Sequence, residues 1–257
     1  MSDNITIIEP EDNTKLAYRE FRLKKRNGSF RRICAPNKRL LAYQRARLKK
    51  LYEVFYEASE AYEVDNAFHG FLPNRNCVTA GREHIGKAVS ISMDISNFFD
   101  SVTKEMLEDY PLTQDMHFYH KEGHCAQGFA TSPILANIAL IPAIAELTER
   151  IQGAITVYAD DICISINKDD HDSVNNVISF VTSVIESYGF SINPKKTRVR
   201  YHKAGFRHML GLSIGLDHIT VTRKFKRKIR AARHQGNHSS LGGLVTWSRI
   251  LLPKALR

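Results

Sequence analysis

Alternating apolar and polar positions predict the strands of this chain. Residues 88–94 alternate as a half-buried strand does and end in an acid, Asp94. Two β-branched apolar runs, residues 154–158 and 162–166, flank the acidic pair Asp160 and Asp161. This spacing predicts a β-hairpin whose tip carries two adjacent carboxylates. A second hairpin is predicted near the amino terminus, where the basic stretch 24–32 turns at Asn27-Gly28 and ends before Pro36.

Helical spacing predicts three long helices, at residues 40–58, 132–150 and 171–188. Asp172 and Ser173 are candidate caps for the last of them, and Gly189 is its predicted stop. The Thr-Ser-Pro series at 131–133 reads as a cap leading into the second helix. A further helix, residues 223–234, places Phe225, Ile229 and Ala232 on one face among basic residues.

The acidic tip is the first candidate for chemistry. Two neighbouring carboxylates repel each other, and this cost is tolerated mainly where divalent cations neutralise them. Asp94 ends a separate strand, so three carboxylates can converge on two Mg²⁺ ions, the arrangement that two-metal phosphoryl transfer requires. The alternative is an ordinary solvated turn, because Asp-Asp is a common turn dipeptide.

Five ordered motifs carry a resemblance that extends from about residue 20 to about residue 235. They are Asp94 with Phe98-Phe99, Gln127-Gly128 with Thr131-Ser132-Pro133, Tyr158-Ala159-Asp160-Asp161, the segment 189–197, and Met209-Leu210-Gly211-Leu212. In this order the chain resembles the reverse transcriptases, specifically the bacterial retron and group II intron branch. Ordered agreement of several motifs is far more specific than a single match.

The resemblance implies an α+β fold, a right-hand polymerase with fingers, a palm of antiparallel sheet backed by helices, and a short thumb. The implied division is an amino-terminal extension at 1–20, fingers at 21–87, palm with finger elements at 88–212, and the start of a thumb or RNA-binding segment at 213–257.

Roles follow residue by residue from the same resemblance. Asp94, Asp160 and Asp161 would be catalytic metal ligands, joined by Ile95, and Asp161 would contact the metal less directly. Lys196 would protonate departing pyrophosphate, although a surface lysine is the simpler interpretation. Two ions are implied, Mg²⁺ with Mn²⁺ as a substitute.

The nucleotide and the template-primer also receive implied contacts. Phe99 would be a steric gate that excludes a 2′-hydroxyl, its alternative being a core phenylalanine. Incoming dNTP would meet a set of residues comprising Lys25, Arg31, Ile95, Phe99, Gln127, Gly128 and Tyr158. Nucleic acid would meet Leu210, Gly211, Arg223, Lys224, Lys226 and Lys228.

Charge distribution agrees independently with a nucleic-acid partner. The chain has a net charge of +10, with fourteen Lys and Arg against one acid in residues 15–50 and sixteen against one in residues 195–257. Basic flanks around an acidic centre suit a clamp on a phosphate backbone. By themselves they would be read as solvated faces.

Four cysteines without a close pair predict reduced thiols and a cytoplasmic protein, and the sequence shows no signal peptide or apolar run of membrane-spanning length. His117, His120, His124 and Cys125 are spaced closely enough for zinc, yet surface or loop histidines are the favoured interpretation.

The predicted function is an RNA-directed DNA polymerase of retron type, expected to act in antiphage defence on a structured non-coding RNA and its cDNA, with an effector or accessory protein as a further partner. A retron-like Asn-Ala-x-x-His motif is represented only by His84, so group II-derived and diversity-generating enzymes stay open. RNA-directed RNA polymerases and non-catalytic RNA-binding modules are the rival classes.

Overall fold

The computed structural model describes residues 15–25 and 28–249. The turn residue Asn27, most of the predicted amino-terminal extension and the end of the predicted thumb segment lie outside the described residues. Gly28 is described and has φ +86°, as a glycine in a tight turn can.

Nine strands and seven α-helices are present in the described part of the chain. The strands are β1 (Tyr18–Lys24), β2 (Phe30–Pro36), β3 (Val89–Asp94), β4 (Ala154–Tyr158), β5 (Asp161–Ile166), β6 (Arg198–Tyr201), β7 (Arg207–Met209), β8 (Leu212–Ile214) and β9 (Ile219–Val221). The helices are α1 (Lys38–Ala61), α2 (Cys77–Glu83), α3 (Phe98–Ser101), α4 (Ser132–Arg150), α5 (His171–Ser187), α6 (Arg223–His234) and α7 (His238–Arg249). This α+β composition confirms the predicted fold class.

The chain divides into two compact units, each assembled from three separate segments. Described residues of the first unit fall within Met1–Asp65, Ser96–Glu146 and Val184–Ser191. Those of the second fall within Asn66–Ile95, Leu147–Ser183 and Ile192–Arg257.

In the first unit, β1 and β2 form the antiparallel hairpin that the basic stretch predicted, with strands longer than expected. Asn37 caps α1, because its side-chain oxygen accepts a hydrogen bond from the Leu40 N–H at 2.8 Å. Cys34, Leu40 and Phe129 are buried together in a small core.

In the second unit, an antiparallel sheet has the strand order β4-β5-β3-β6. A separate sheet has the order β7-β8-β9. Val78 of α2, Cys163 of β5 and Leu212 of β8 share one apolar cluster, so α2 and both sheets are packed around a common core.

The predicted ends of the long helices agree closely with the structure, but two predictions of helix caps were wrong. Helix α5 is capped by Asp170, whose carboxylate accepts from the Ser173 N–H at 2.8 Å, whereas Asp172 and Ser173 lie inside the first turn. At the start of α4 the Ser132 hydroxyl donates to the Ala126 carbonyl at 2.8 Å, and the buried Thr131 hydroxyl has no hydrogen-bond partner among the described residues. Sequence spacing located both helix starts but not the side chains that stabilise them.

Among the described residues, each helix is too short or too polar to cross a lipid bilayer. All four cysteines are free.

Candidate active site

The acidic tip is a tight connection between β4 and β5. Tyr158 and Asp161 face each other as the last pair of the hairpin, so that only Ala159 and Asp160 make the turn. Ala159 adopts the left-handed conformation with φ +57°, a strained choice for a residue with a Cβ atom. Gly70 packs against this turn so closely that a Cβ there would collide with the Ala159 backbone nitrogen. The turn is thus supported from behind by the backbone of another segment.

Asp94 reaches the same place from the neighbouring strand. It ends β3 directly opposite Asp161 in the antiparallel register. The next residue, Ile95, donates its N–H to the Asp160 carbonyl at 2.8 Å, and the Asp94 carbonyl accepts from the Asn193 N–H at 2.7 Å. These backbone bonds fix the positions from which all three carboxylates project.

Burial and mutual repulsion set the electrostatics of this acidic cluster. Asp94 is 8% exposed, and the Lys196 ammonium donates to both of its carboxylate oxygens, at 2.7 and 2.9 Å. Burial, followed by the charges of Asp160 and Asp94, raises the pKa of Asp161 to about 6, against the opposing effect of Lys196. A hard cation supported by oxygen ligands would relieve this repulsion.

Ile95 can contribute to a metal or nucleotide only through its main chain. Its side chain is 2% exposed and belongs to the core. Its N–H is already bonded to Asp160, which leaves the carbonyl oxygen as the atom for the predicted role.

Tyr158, Leu210 and Gly211 also lie in the second unit. Tyr158 is half-buried at the start of the acidic turn, and burial raises the pKa of its hydroxyl. Leu210 and Gly211 connect β7 to β8 with φ values of +50° and +77°, so both turn residues are left-handed. A tight hairpin tip of this kind is compatible with the predicted contact to a primer strand.

Gln127 and Gly128 lie in the first unit beside β2. The Gln127 carbonyl accepts from the Cys34 N–H at 2.8 Å. Gly128 has φ +115°, and a Cβ at this position would collide with the Cys34 carbonyl. The glycine is required by this backbone packing, and its contact with a nucleotide stays a prediction.

The two phenylalanines after Asp94 have different environments within the first unit. Phe98 is 5% exposed and lies against Phe190, with ring centroids 6.2 Å apart. Phe99 is only half-buried on the short helix α3. Phe98 therefore serves the core, and the role of Phe99 as a gate stays a prediction. Lys25 and Arg31, the predicted triphosphate contacts, are exposed on and next to the first hairpin.

His120 and His124 lie in the loop before Gln127, as one of the two expected settings, but they are not surface histidines. The His120 side chain is fully buried, and that of His124 is 12% exposed. His120 bonds Glu20 through Nε2 at 2.9 Å and accepts from the Glu122 N–H through Nδ1 at 3.2 Å. His124 donates from Nδ1 to the Cys125 carbonyl at 2.8 Å, so its Nε2 accepts from Arg32 at 2.8 Å. Every ring nitrogen of His120 and His124 thus has a hydrogen-bond partner. These bonds connect the β1–β2 hairpin to the loop before Gln127.

Helix α6 displays the predicted division into two faces. Phe225 and Ile229 are half-buried, Ala232 is buried, and Phe225 contacts Trp247 of α7 with centroids 4.5 Å apart. The seven basic side chains of the helix are all exposed, namely Arg223, Lys224, Lys226, Arg227, Lys228, Arg230 and Arg233.

The sequence profile of the family described as "Reverse transcriptase (RNA-dependent DNA polymerase)" matches residues 23–214. The chain belongs to the reverse transcriptase family. The match includes all three carboxylates, the Gln127 motif and the Leu210-Gly211 turn, and it ends before α6.

Curated proteins similar to the chain include retron enzymes. The Retron Mx65 reverse transcriptase of Myxococcus xanthus is 27% identical over 92% of this chain and 62% of the relative. The Retron Mx162 enzyme of the same organism is 30% identical over 87% of this chain and 53% of the relative. The Retron Ec86 enzyme of Escherichia coli is 25% identical over 91% of this chain. The chain thus spans less than two thirds of the length of the two Myxococcus relatives.

Solved structures confirm the fold. Apo telomerase from Candida tropicalis superposes with a TM-score of 0.58 at 14% identity, covering 85% of this chain and 50% of the telomerase chain. Telomerase from Candida albicans in complex with the TWJ fragment of telomeric RNA gives 0.53 at 15% identity, covering 86% of this chain and 47% of its own.

We predict that Asp161→Asn stabilises the metal-free protein at neutral and higher pH. The folded-state pKa of about 6 exceeds the ordinary value of 3.8, so the folded protein binds more protons and its stability falls as pH rises between these values. Asparagine removes the ionising group. In EDTA, melting temperatures should favour the variant by a few degrees at about pH 8 and converge near pH 4.

Asp172→Asn is the matched control, because Asp172 is an exposed carboxylate in the first turn of α5. It should lack this pH-dependent gain. Equal melting temperatures of Asp161→Asn and wild type at both pH values would contradict the assigned repulsion.

Proposed function

We propose that this chain is an RNA-directed DNA polymerase that extends a primer with dNTPs on a structured RNA template. The observation that carries the proposal is the cross-strand pair of Asp94 and Asp161 beside the turn carboxylate Asp160, in a member of the reverse transcriptase family. Three carboxylates projecting from adjacent backbone positions are costly unless they serve cations.

The residues fit two Mg²⁺ ions, for which Mn²⁺ could substitute. Carboxylate and carbonyl oxygens are the ligands that such hard cations prefer, and Asp94, Ile95, Asp160 and Asp161 offer them. When bound, the ions would lower the pKa of the attacking primer hydroxyl and neutralise charge on the triphosphate.

Lys196 has a second task in this proposal. Its ammonium holds both Asp94 oxygens, so a metal ion bound by Asp94 would compete with Lys196 for them. A released ammonium beside the carboxylates is a candidate donor for the departing pyrophosphate. The same side chain would therefore neutralise Asp94 before metal loading and supply a proton after it.

The retron type is supported by the curated relatives, each of which is a retron reverse transcriptase by name. We infer that the template is a structured non-coding RNA, with an accessory protein as a further partner. Group II-derived and diversity-generating enzymes are the alternatives, and sequencing nucleic acid that copurifies with the chain from its host separates them. The antiphage role and the cytoplasmic location stay predictions.

Primer extension tests the proposed activity. Wild-type protein should extend a DNA primer on an RNA template with Mg²⁺, and Asp160→Ala should reduce the rate at least about 100-fold because charge stabilisation in the transition state is lost. Circular dichroism should show an unchanged fold, since Asp160 is a turn residue. Asp172→Ala is the exposed control and should retain activity. Wild-type-like extension by folded Asp160→Ala would refute the catalytic assignment and favour a non-catalytic RNA-binding module.

Sugar selection tests the assignment of Phe99. Phe99→Ala should increase ribonucleotide use relative to dNTPs by about tenfold or more, because a steric filter discriminates by exclusion. Single-nucleotide incorporation with each substrate measures the ratio. Phe206→Ala removes a more exposed ring from the second unit and should leave the ratio unchanged. An unchanged ratio in Phe99→Ala would place the gate elsewhere, and a wild-type preference for ribonucleotides would indicate an RNA-directed RNA polymerase.

Salt dependence tests the basic face of α6. Changing Lys224, Lys226 and Lys228 to glutamine in one triple variant should weaken template-primer binding. It should also lower the magnitude of the slope of log affinity against log salt by up to about 3, because a protein with fewer phosphate contacts releases fewer counterions on binding. Extension at saturating template should change much less than binding.

The matched control for this triple variant replaces three exposed lysines elsewhere, Lys121, Lys168 and Lys203. This control removes the same net charge, and it should change the salt dependence of template-primer binding much less than the α6 variant does. If both triple variants behave alike, net charge rather than the α6 surface governs binding.

A further inference from the structure

Arg207 of β7 is the largest fully buried side chain of the described residues, with 0% exposure. Its guanidinium donates to the Ser90 hydroxyl at 3.1 Å, the His84 carbonyl at 2.8 Å and the Gly215 carbonyl at 2.9 Å. Its Nε is buried without a hydrogen-bond partner, and no carboxylate forms an ion pair with it within the described ranges. A buried cation is thus held by neutral acceptors alone.

His84 extends these contacts into the catalytic sheet. Its fully buried ring bonds the Ser165 hydroxyl at 2.9 Å and the Thr156 hydroxyl at 2.8 Å. Ser90 and Ser165 also bond each other at 2.9 Å. Burial, assisted by the charge of Arg207, lowers the pKa of His84 to about 3, so the ring is neutral at physiological pH. We call these five residues, Arg207, His84, Ser90, Ser165 and Thr156, the polar clamp.

The polar clamp connects the strands that carry the carboxylates to the hairpin that carries Leu210 and Gly211. Ser90 and Ser165 are paired on β3 and β5, four residues from the paired Asp94 and Asp161. Four strand residues correspond to about 13 Å. At the other end, Arg207 precedes Leu210 by three residues on the β7–β8 hairpin.

Stability alone does not account for such a group. A buried charge without a counterion costs free energy, and a well-packed apolar side chain of similar volume is often as stable or more stable. What a planar guanidinium adds is direction, because its N–H donors point in fixed directions within one plane. An apolar replacement would fill the space without fixing the position of the hairpin.

We propose that Arg207 is a positioning residue that sets the Leu210-Gly211 turn relative to Asp94, Asp160 and Asp161, and so places the primer terminus at the catalytic carboxylates. This inference rests on the proposed polymerase function. It also assigns His84, the remnant of the retron-like motif, to the interior of the protein rather than to an RNA contact.

The test compares Arg207→Met, which keeps volume and removes the donors, with Arg207→Lys, which keeps a charge and one directed donor. Hydrogen exchange should be at least about tenfold faster at the amides of residues 209–212 in Arg207→Met, with β3 and β5 protected as in wild type. Arg207→Lys should recover part of the protection. Arg200→Met, the same change at an exposed arginine of β6, should leave exchange at these amides as it is in wild type.

Function is read from the ratio of extension rates on matched and mismatched primer termini, with active enzyme titrated in each preparation. A lower folded fraction reduces both rates equally, whereas a misplaced terminus should lower the ratio by about tenfold. If Arg207→Met does not fold, Ser90→Ala, which removes a single acceptor, should lower the ratio in the same direction.

The positioning role would be overturned if Arg207→Met changed neither the exchange at residues 209–212 nor the ratio of extension rates. If Arg207→Met does not fold, the same result in Ser90→Ala would overturn it. The two proposals fail separately. A wild-type protein that extends no primer would refute the polymerase function, while hydrogen exchange would still decide whether Arg207 holds the turn.

Discussion

The antiparallel register between β3 and β5 is the constraint on which the candidate active site depends, because it decides that Asp94 faces Asp161. Side chains alternate between the faces of a sheet, so a slip of one residue would separate the two carboxylates. Ile91 and Ile164 form a buried pair on one face, and Ser90 and Ser165 form a hydrogen-bonded pair on the other. A slip would bury the serine hydroxyls among isoleucines without hydrogen-bond partners, which costs free energy. The Ser90–Ser165 pair therefore fixes the register of the Asp94–Asp161 pair four residues further along the strands.

The same site concentrates charge that folding alone would not favour. Burial and two neighbouring carboxylates raise the pKa of Asp161, and Lys196 opposes this effect while it holds Asp94. The left-handed Ala159 adds backbone strain at the turn. Strain and repulsion persist here because the surrounding strands are buried and hydrogen-bonded, and such features are typical of functional sites. The buried sheet thus stabilises the protein, and the charged, strained turn at its end destabilises it.

Sequence reasoning was most reliable where one local pattern determines the outcome. The strands β3, β4 and β5 follow from apolar periodicity, and the carboxylates follow from motif order within them. It did not detect β6, the cap Asp170 or the buried state of His120, because each depends on partners distant in sequence or on the competition between neighbouring acceptors. Arg207 is the extreme case, since nothing local distinguishes a buried arginine from the many exposed ones in a chain of this charge.

The family match ends at residue 214, before the basic helix α6, so the proposed catalytic and RNA-binding roles belong to different segments of the chain. Metal-dependent chemistry depends on the geometry of a few carboxylates and tolerates little variation in their positions. Phosphate contacts from exposed lysines and arginines depend mainly on charge and carry no base information. Under the proposed function, α6 binds the backbone of an RNA chosen by shape, so the template can change without any change in the catalytic sheet.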